Sequence, residues 1–201
     1  MATAVRDEKG RFTRNAKNGN GGRHYGLIAG AAAGGAALGL LAMMGRKAAV
    51  IAPTVLAGNW ADALAAEHKA VLKIFDALDA TEDGATARRT MLLMQLRHAL
   101  AKHAIEEENV IYPALREAGE QDAADALTRD HGYVKQYLYD LDTMPASAPG
   151  WMERLRAFRT DLERHMREEE DVLFPALRAR LTDEKNKALT HAMNREGFKL
   201  A

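Results

Sequence analysis

Between residues 59 and 180 apolar side chains recur at helical spacing in four separate blocks. In 59–79 one stripe carries Leu64, His68, Val71, Leu72, Phe75 and Leu78. In 86–117 it carries Leu93, Leu96, Leu100, His103, Glu107 and Val110 or Ile111, and in 120–143 Leu127, His131, Val134, Leu138 and Leu141. The fourth block, 149–180, aligns Leu155, Phe158, Leu162, His165, Glu169 and Val172. Residues three or four apart share a helix face, so each block predicts an amphipathic helix that turns ionisable side chains toward its own apolar side. The blocks are joined by TEDG, by a turn at Gly119 and by MPASAPG. Connections this short make successive helices antiparallel neighbours, and the expected fold is all-α, an up-down-up-down four-helix bundle.

Local signals refine the ends. Gly119 suits the left-handed residue that closes the second helix. Pro113 and Pro175 stand inside helical patterns, where each removes a backbone donor and bends or ends its helix. Thr182, Asp183 and Glu184 read as the cap and acidic first turn of a short final helix within 182–201 that stops near Gly197, with His191 at the surface. Trp60 and Trp151, at the starts of the first and fourth helices, are expected to pack or to anchor an interface.

The chain ahead of the bundle has a different texture. Residues 1–26 are polar and rich in Gly and Asn, with six Lys or Arg against two acids, and show no apolar period. Residues 27–44 run LIAGAAAGGAALGLLAMM without a charge. As a helix they would reach roughly 27 Å at ~1.5 Å per residue, close to the ~30 Å hydrocarbon core of a bilayer. Gly26, Gly30 and Gly34 fall four apart, as do Gly35 and Gly39, which lets two helices approach closely. A membrane anchor or glycine-zipper oligomerisation helix is the expectation, with a flexible peripheral segment or a signal peptide as the alternatives. A second apolar run, 48–57, is broken by Pro53 and would close a membrane hairpin or lie at the interface, so 27–58 forms one Gly-rich apolar unit. The basic tail favours a cytoplasmic N-terminus; the side on which the bundle lies depends on whether the second run returns through the bilayer.

Composition narrows the chemistry. There is no Cys among 201 residues, so disulfides, thiolate nucleophiles and zinc ribbons are excluded and any metal site must use His and carboxylates. Formal charge is zero overall, and only the basic tail would attract phosphate, so no nucleic-acid partner is expected. The chain has neither a P-loop nor a dinucleotide-type glycine fingerprint.

The chemistry concentrates in an internal repeat. HAIEEENVIYPALR at 103–116 recurs as HMREEEDVLFPALR at 165–178, an offset of 62 residues. In each copy a His is followed four positions on by a Glu, His103 with Glu107 and His165 with Glu169, which stacks imidazole and carboxylate on one face. Upstream of each copy stands a further His on an apolar stripe, His68 and His131. Four imidazoles and two carboxylates inside a small bundle are costly to bury without hydrogen bonds or a metal. A buried salt-bridge network is the alternative. Helical rotation turns Glu107 and Glu169 inward and leaves Glu108 and Glu170 in solvent, with Glu106 and Glu168 held as alternative ligands or supporting groups. Imidazole and carboxylate donors suit Fe, Mn or Zn and fit Ca or Mg poorly.

These two H-x-x-x-E-E motifs, each with a Pro ten residues after its His, together with the separately placed His68 and His131, resemble the hemerythrin or HHE cation-binding family over roughly residues 59–181. The resemblance implies a four-helix bundle with two non-haem irons, bridged by Glu107 and Glu169 and capped by His68, His103, His131 and His165. It also implies a small ligand, O2, NO or peroxide, or a role in buffering iron. One departure stands out. Oxygen-carrying members have a fifth His four residues after the first on the third helix, where this chain has Lys135. The site should therefore be more open or recruit a nearby group, and a catalase-like or peroxidase-like activity toward H2O2 is the competing expectation. A third is a structural membrane protein whose bundle is a passive cap.

Overall fold

A computed structural model of the chain describes residues 58–200. The basic tail and the Gly-rich apolar stretch 27–57, with the expectations placed on them, lie outside the described residues. Within these, everything regular is helical and no strand occurs. The elements are α1 (Trp60–Asp79), α2 (Thr86–Glu106), α3 (Tyr112–Glu117), α4 (Gln121–Thr143), α5 (Trp151–Glu168), α6 (Phe174–Arg180) and α7 (Asp183–Leu200). Two π-helical turns, π1 (Glu107–Ile111) and π2 (Glu169–Leu173), join α2 to α3 and α5 to α6.

Caps set the ends. Asn59 accepts a hydrogen bond from the Asp62 N–H at 3.0 Å, and Thr182 Oγ1 accepts one from the Lys185 N–H at 3.3 Å. Gly119 has φ +89°, and the Glu120 and Gly119 amides donate back to the Leu115 and Arg116 carbonyls at 2.9 and 3.1 Å. That is the paired closure a left-handed glycine permits.

The prolines do not end their helices. Proline has no N–H to return to the preceding turn, and in each copy that turn widens so that the next-door amide, Tyr112 or Phe174, reaches the carbonyl five residues back, Glu107 or Glu169. Each widened turn rotates the helical phase of the residues beyond it. Val172, expected on the buried stripe, is 58% exposed, and Leu173, Phe174 and Leu177 are buried instead.

The core falls into two apolar halves. One contains Val71, Phe75, Leu96, Leu100, Leu138, Leu155, Phe158 and Leu162; the other contains Trp60, Leu64, Ile111, Leu115, Leu127, Leu173, Phe174 and Leu177. His68, His103, His131 and His165 lie in sequence between the two sets on their respective helices, so a polar layer divides the core. Successive long helices pass through the layers in alternating order. Both tryptophans are fully buried packing residues: Trp60 Nε1 donates to Asn186 Oδ1 at 3.0 Å and Trp151 Nε1 to the Leu141 carbonyl at 2.9 Å.

The C-terminal helix is longer than expected. α7 has 18 residues and continues through Gly197 to Leu200. Gly197 is a close-approach position, since a Cβ there would lie 1.8 Å from Glu106 Oε1. α7 packs on α2 and π1, and His191 is exposed as expected. Among the described residues no helix is long and apolar enough to cross a membrane.

Candidate metal centre

All six inward-facing residues expected from the repeat come together. His68, His103, Glu107, His131, His165 and Glu169 are each at most 4% exposed. They form two overlapping groups, His68, His103, Glu107 and Glu169 in one and Glu107, His131 and His165 in the other, with one donor atom per residue lying within 4.8 Å of the others in its group. Glu107 belongs to both.

The imidazoles share one orientation. His103 Nε2 and His131 Nε2 lie 3.1 and 3.3 Å from Glu107 Oε2, and His68 Nε2 and His165 Nε2 lie 3.5 and 3.4 Å from Glu169 Oε2. Every Nδ1 faces the opposite way, toward a carboxylate. His68 Nδ1 meets Glu170 at 2.7 Å, His103 Nδ1 meets Glu67 at 3.1 Å, His131 Nδ1 meets Glu108 at 2.9 Å, and Asp130 stands 3.5 Å behind His165 Nδ1. A carboxylate behind the ring fixes the N–H on Nδ1 and aims the Nε2 lone pair inward, the arrangement that metal-binding histidines use. Glu107 Oε1, Glu169 Oε2 and His165 Nε2 are buried at the centre without a hydrogen-bond partner. A closed salt-bridge network would leave no such orphans, because an unpaired buried polar atom costs about 1–3 kcal/mol. The donor set thus fits transition-metal ions better than it fits itself.

Proton placement follows from the packing. Burial pushes the Glu107 carboxyl up, but the charge and hydrogen bonds of His103 and His131 outweigh it and hold Glu107 well below the usual carboxylate range. His103 is the counterpart: burial pulls it down, yet Glu107 and Glu67 raise it well above an ordinary imidazole. Burial and the neighbouring Glu107 charge push the Glu169 carboxyl well up. Burial also lowers His68, and takes His165 to about 4. The metal-free cluster therefore holds an imidazolium at His103, a carboxylate at Glu107 and a neutral acid at Glu169. His103 Nε2 lies 2.8 Å from His68 Nε2, close enough for a hydrogen bond between the two rings.

The Hemerythrin HHE cation binding domain profile matches residues 61–177. The chain belongs to the hemerythrin HHE cation-binding family. An uncharacterized hemerythrin-like protein of Schizosaccharomyces pombe is 27% identical over 137 residues, covering 67% of this chain and 66% of that protein. A protein of Nostoc named DNA nickase is 28% identical over 127 residues, covering 63% of this chain but 36% of its own length. The chain thus spans about two thirds and about a third of the lengths of these two relatives. The crystal structure of a Hemerythrin HHE cation binding domain-containing protein from Mycobacterium kansasii aligns with a TM-score of 0.62 and 26% identity, over 71% of this chain and 86% of that one.

Within this hemerythrin-like bundle three features depart from what the sequence leads one to expect: the roles of Glu108 and Glu170, the place of Tyr112, and a buried triad behind His103. Glu108 and Glu170, expected in solvent, are about one-third exposed and grip His131 and His68 from behind. Each reaches the histidine of a neighbouring helix, a partner that the geometry of its own helix cannot reveal. Tyr112 carries no signal in the sequence. Its buried hydroxyl lies 3.1 Å from Glu107 Oε2, 2.9 Å from Glu169 Oε1 and 3.0 Å from His131 Nε2. Burial and the neighbouring Glu107 and Glu169 side chains push its phenol well up, so it stays protonated. It is also the residue whose amide closes π1, and the widened turn brings it to the inner face. Lys135, at the missing fifth His, points outward with its ammonium 3.2 Å from Glu108 and its side chain 66% exposed.

The last unexpected group is a buried triad. Lys102, 4% exposed, pairs with Glu67 and with Glu106, the latter at 2.6 Å. Burial pushes Glu67 up, but the His103 hydrogen bond and charge and the Lys102 ammonium hold it at about 2. Glu106, more deeply enclosed and beside the Glu67 charge, is pushed up to about 8. Glu106 therefore serves the surroundings of the centre, one of the two roles its place in the repeat leaves open, and Glu168 is exposed.

Proposed function

We propose that the chain holds two transition-metal ions, iron by family resemblance, between its four imidazoles and two carboxylates with Glu107 shared, and uses them to bind a small ligand of the O2, NO or peroxide class. The observation that carries this reading is the uniform orientation of the histidines, each with a carboxylate behind Nδ1 and Nε2 turned to the buried, partly unpaired oxygens of Glu107 and Glu169. Bound iron would supply Lewis acidity and one-electron redox chemistry at this point. The chain's own part is to hold the donors apart from bulk water between two apolar layers, to keep Glu107 ionised, and to hold a proton on the Tyr112 hydroxyl within reach of a small ligand.

A second reading, turnover of H2O2, is favoured by one observation. The Glu107, His131 and His165 group offers three donors against four in the other group, and Lys135 adds none. Catalysis needs an open coordination position of this kind. Outside the described residues, 27–44 is our candidate for membrane attachment or self-association; its deletion should move the protein out of the membrane fraction or dissociate its oligomers.

The deciding experiment is metal analysis of the full chain after anaerobic loading with Fe(II). Two irons per chain are expected, and their loss in the Glu107→Ala, Glu169→Ala double variant. A chain that folds and retains no metal would mean that the repeat is a buried polar network. Peroxide consumption by the loaded protein above that of the same quantity of iron in solution would select the enzymatic reading.

A further inference from the structure

The two copies of the repeat are matched not only at the histidines but also behind them. An acid precedes each upstream histidine, Glu67 before His68 and Asp130 before His131, and each stands behind the second histidine of its own copy, His103 or His165. A base precedes that second histidine and pairs with the acid: Lys102 with Glu67, and Arg164 with Asp130 at 3.6 Å. A further acid comes three residues after each second histidine, Glu106 and Glu168.

Sequence symmetry of this order would give two equivalent surroundings, and the structure does not. In the first copy Lys102 and Glu106 are buried and Glu67 nearly so. In the second, Arg164 is 58% exposed, Glu168 is exposed, and Asp130 is too far from His165 Nδ1 to hydrogen-bond it. The difference is α7. This helix lies beyond residues 61–177 and packs on α1, α2 and π1, all of the first copy, while it meets the second copy where Asn186 donates to the Arg178 carbonyl at 3.1 Å, away from Asp130 and Arg164. Its Gly197 sits directly over the triad, where a Cβ would lie 1.8 Å from Glu106 Oε1 and 3.1 Å from Lys102 Cε. Over the second copy there is instead a depression of about 30 Å³, lined by Asp130, Tyr133, Tyr137, Leu162, Arg164 and His165. That volume admits a water-sized molecule. A larger groove, about 380 Å³, reaches His131 from the other side of α4.

We propose that α7 locks the groups behind His103, so that an ion held by His68, His103, Glu107 and Glu169 exchanges slowly, while an ion at Glu107, His131 and His165 exchanges readily through the depressions beside His131 and His165. This inference rests on the two-ion reading. Lys102 and Gly197 are then positioning residues. Lys102 holds Glu67 against His103, and Gly197 lets the helix close over both. The chain keeps one divalent transition cation and trades the other.

The test is removal of iron from the fully loaded chain by excess ferrozine, followed in time. Two phases of one iron each are expected, separated by on the order of tenfold or more, the scale on which groups behind a ligand alter metal retention. Lys102→Met and Gly197→Ala should each speed the slow phase by on the order of tenfold and leave the fast phase unchanged. Gly197→Ala raises helix propensity, so it tests the cover even if Lys102→Met folds poorly. Arg164→Met should leave the slow phase untouched. Departure of both irons in one phase, a slow phase indifferent to Gly197→Ala, or equal acceleration of both phases overturns the lock while leaving the two-ion reading in place. A wild-type chain that binds fewer than two irons overturns both.

Discussion

Three imidazoles of the centre, His68, His103 and His131, are held from behind by a carboxylate from another helix, which makes those carboxylates as consequential as the residues they support. Glu170→Ala should weaken iron retention by about 10–100-fold in chelator competition, because the His68 ring then loses the partner that fixes its tautomer. Glu168→Ala, two residues away and exposed, should leave retention unchanged. Tyr112→Phe removes the hydroxyl beside Glu169 Oε1 and Glu107 Oε2. It should lower the stability of the metal-free protein by about 1–3 kcal/mol, read from a denaturant midpoint, and leave the proposed two-iron stoichiometry unchanged. His68, His103, His131 and His165 were legible in the sequence because a repeated polar residue on an apolar stripe is conspicuous. Tyr112 was not, since an aromatic residue on such a stripe looks like ordinary core.

Helix ends and turns obey backbone rules that can be tested apart from any metal. Gly119 has φ +89° with nothing within 4 Å of the place a Cβ would take, so Gly119→Ala should cost about 1–2 kcal/mol through conformation alone. Gly132 lies exposed inside α4, also with nothing within 4 Å and with no positive φ. Gly132→Ala should stabilise the chain by about 1 kcal/mol, and both shifts are measurable in chemical denaturation. Helix positions were legible to within a few residues, since periodicity and turn residues are local. The π turns were not. Proline announces a missing hydrogen bond but leaves open whether the chain bends, stops or widens a turn, and packing of Ile111, Tyr112, Leu173 and Phe174 against the second core half decides that. Gly197 misleads for a related reason: a glycine near a helix end resembles a stop unless the neighbour pressed against it is known.

At the scale of the whole molecule, burying neutral histidines makes metal-free stability depend on pH. His165 titrates at about 4 in the folded chain against 6.5 when unfolded. The unfolded state takes up the proton first, so this contribution is complete above pH 6.5 and is lost as pH falls toward 4. The slope is about 1.4 kcal/mol per pH unit, or about 3 kcal/mol over the window. His68 is lowered in the same direction and steepens the loss. Glu67, at about 2 when folded against 4.5, adds a second loss of the same sign between pH 4.5 and 2. Glu106, at about 8 when folded against 4.5, has the opposite sign and adds stability as pH falls from 8 toward 4.5. The His165 contribution is therefore read from the variant: His165→Gln should lose less, or gain more, stability between pH 7 and pH 5 than the wild-type metal-free chain, measured by denaturant midpoints.

The amino-acid sequence by itself determined the helices, the pairing of two similar halves and the six His and Glu side chains that meet at the centre, because spacing along a helix dictates which side chains share a face. Tertiary structure alone decided which of the neighbouring acids support those donors and which lie in solvent, since Glu67, Glu108, Glu170 and Asp130 find their histidines on other helices. It also decided that two nearly identical sequence copies sit in unlike surroundings. A repeat carries no information about what packs over it, and only the docking of α7 on the first copy buries Lys102 and Glu106 while their counterparts Arg164 and Glu168 remain in water.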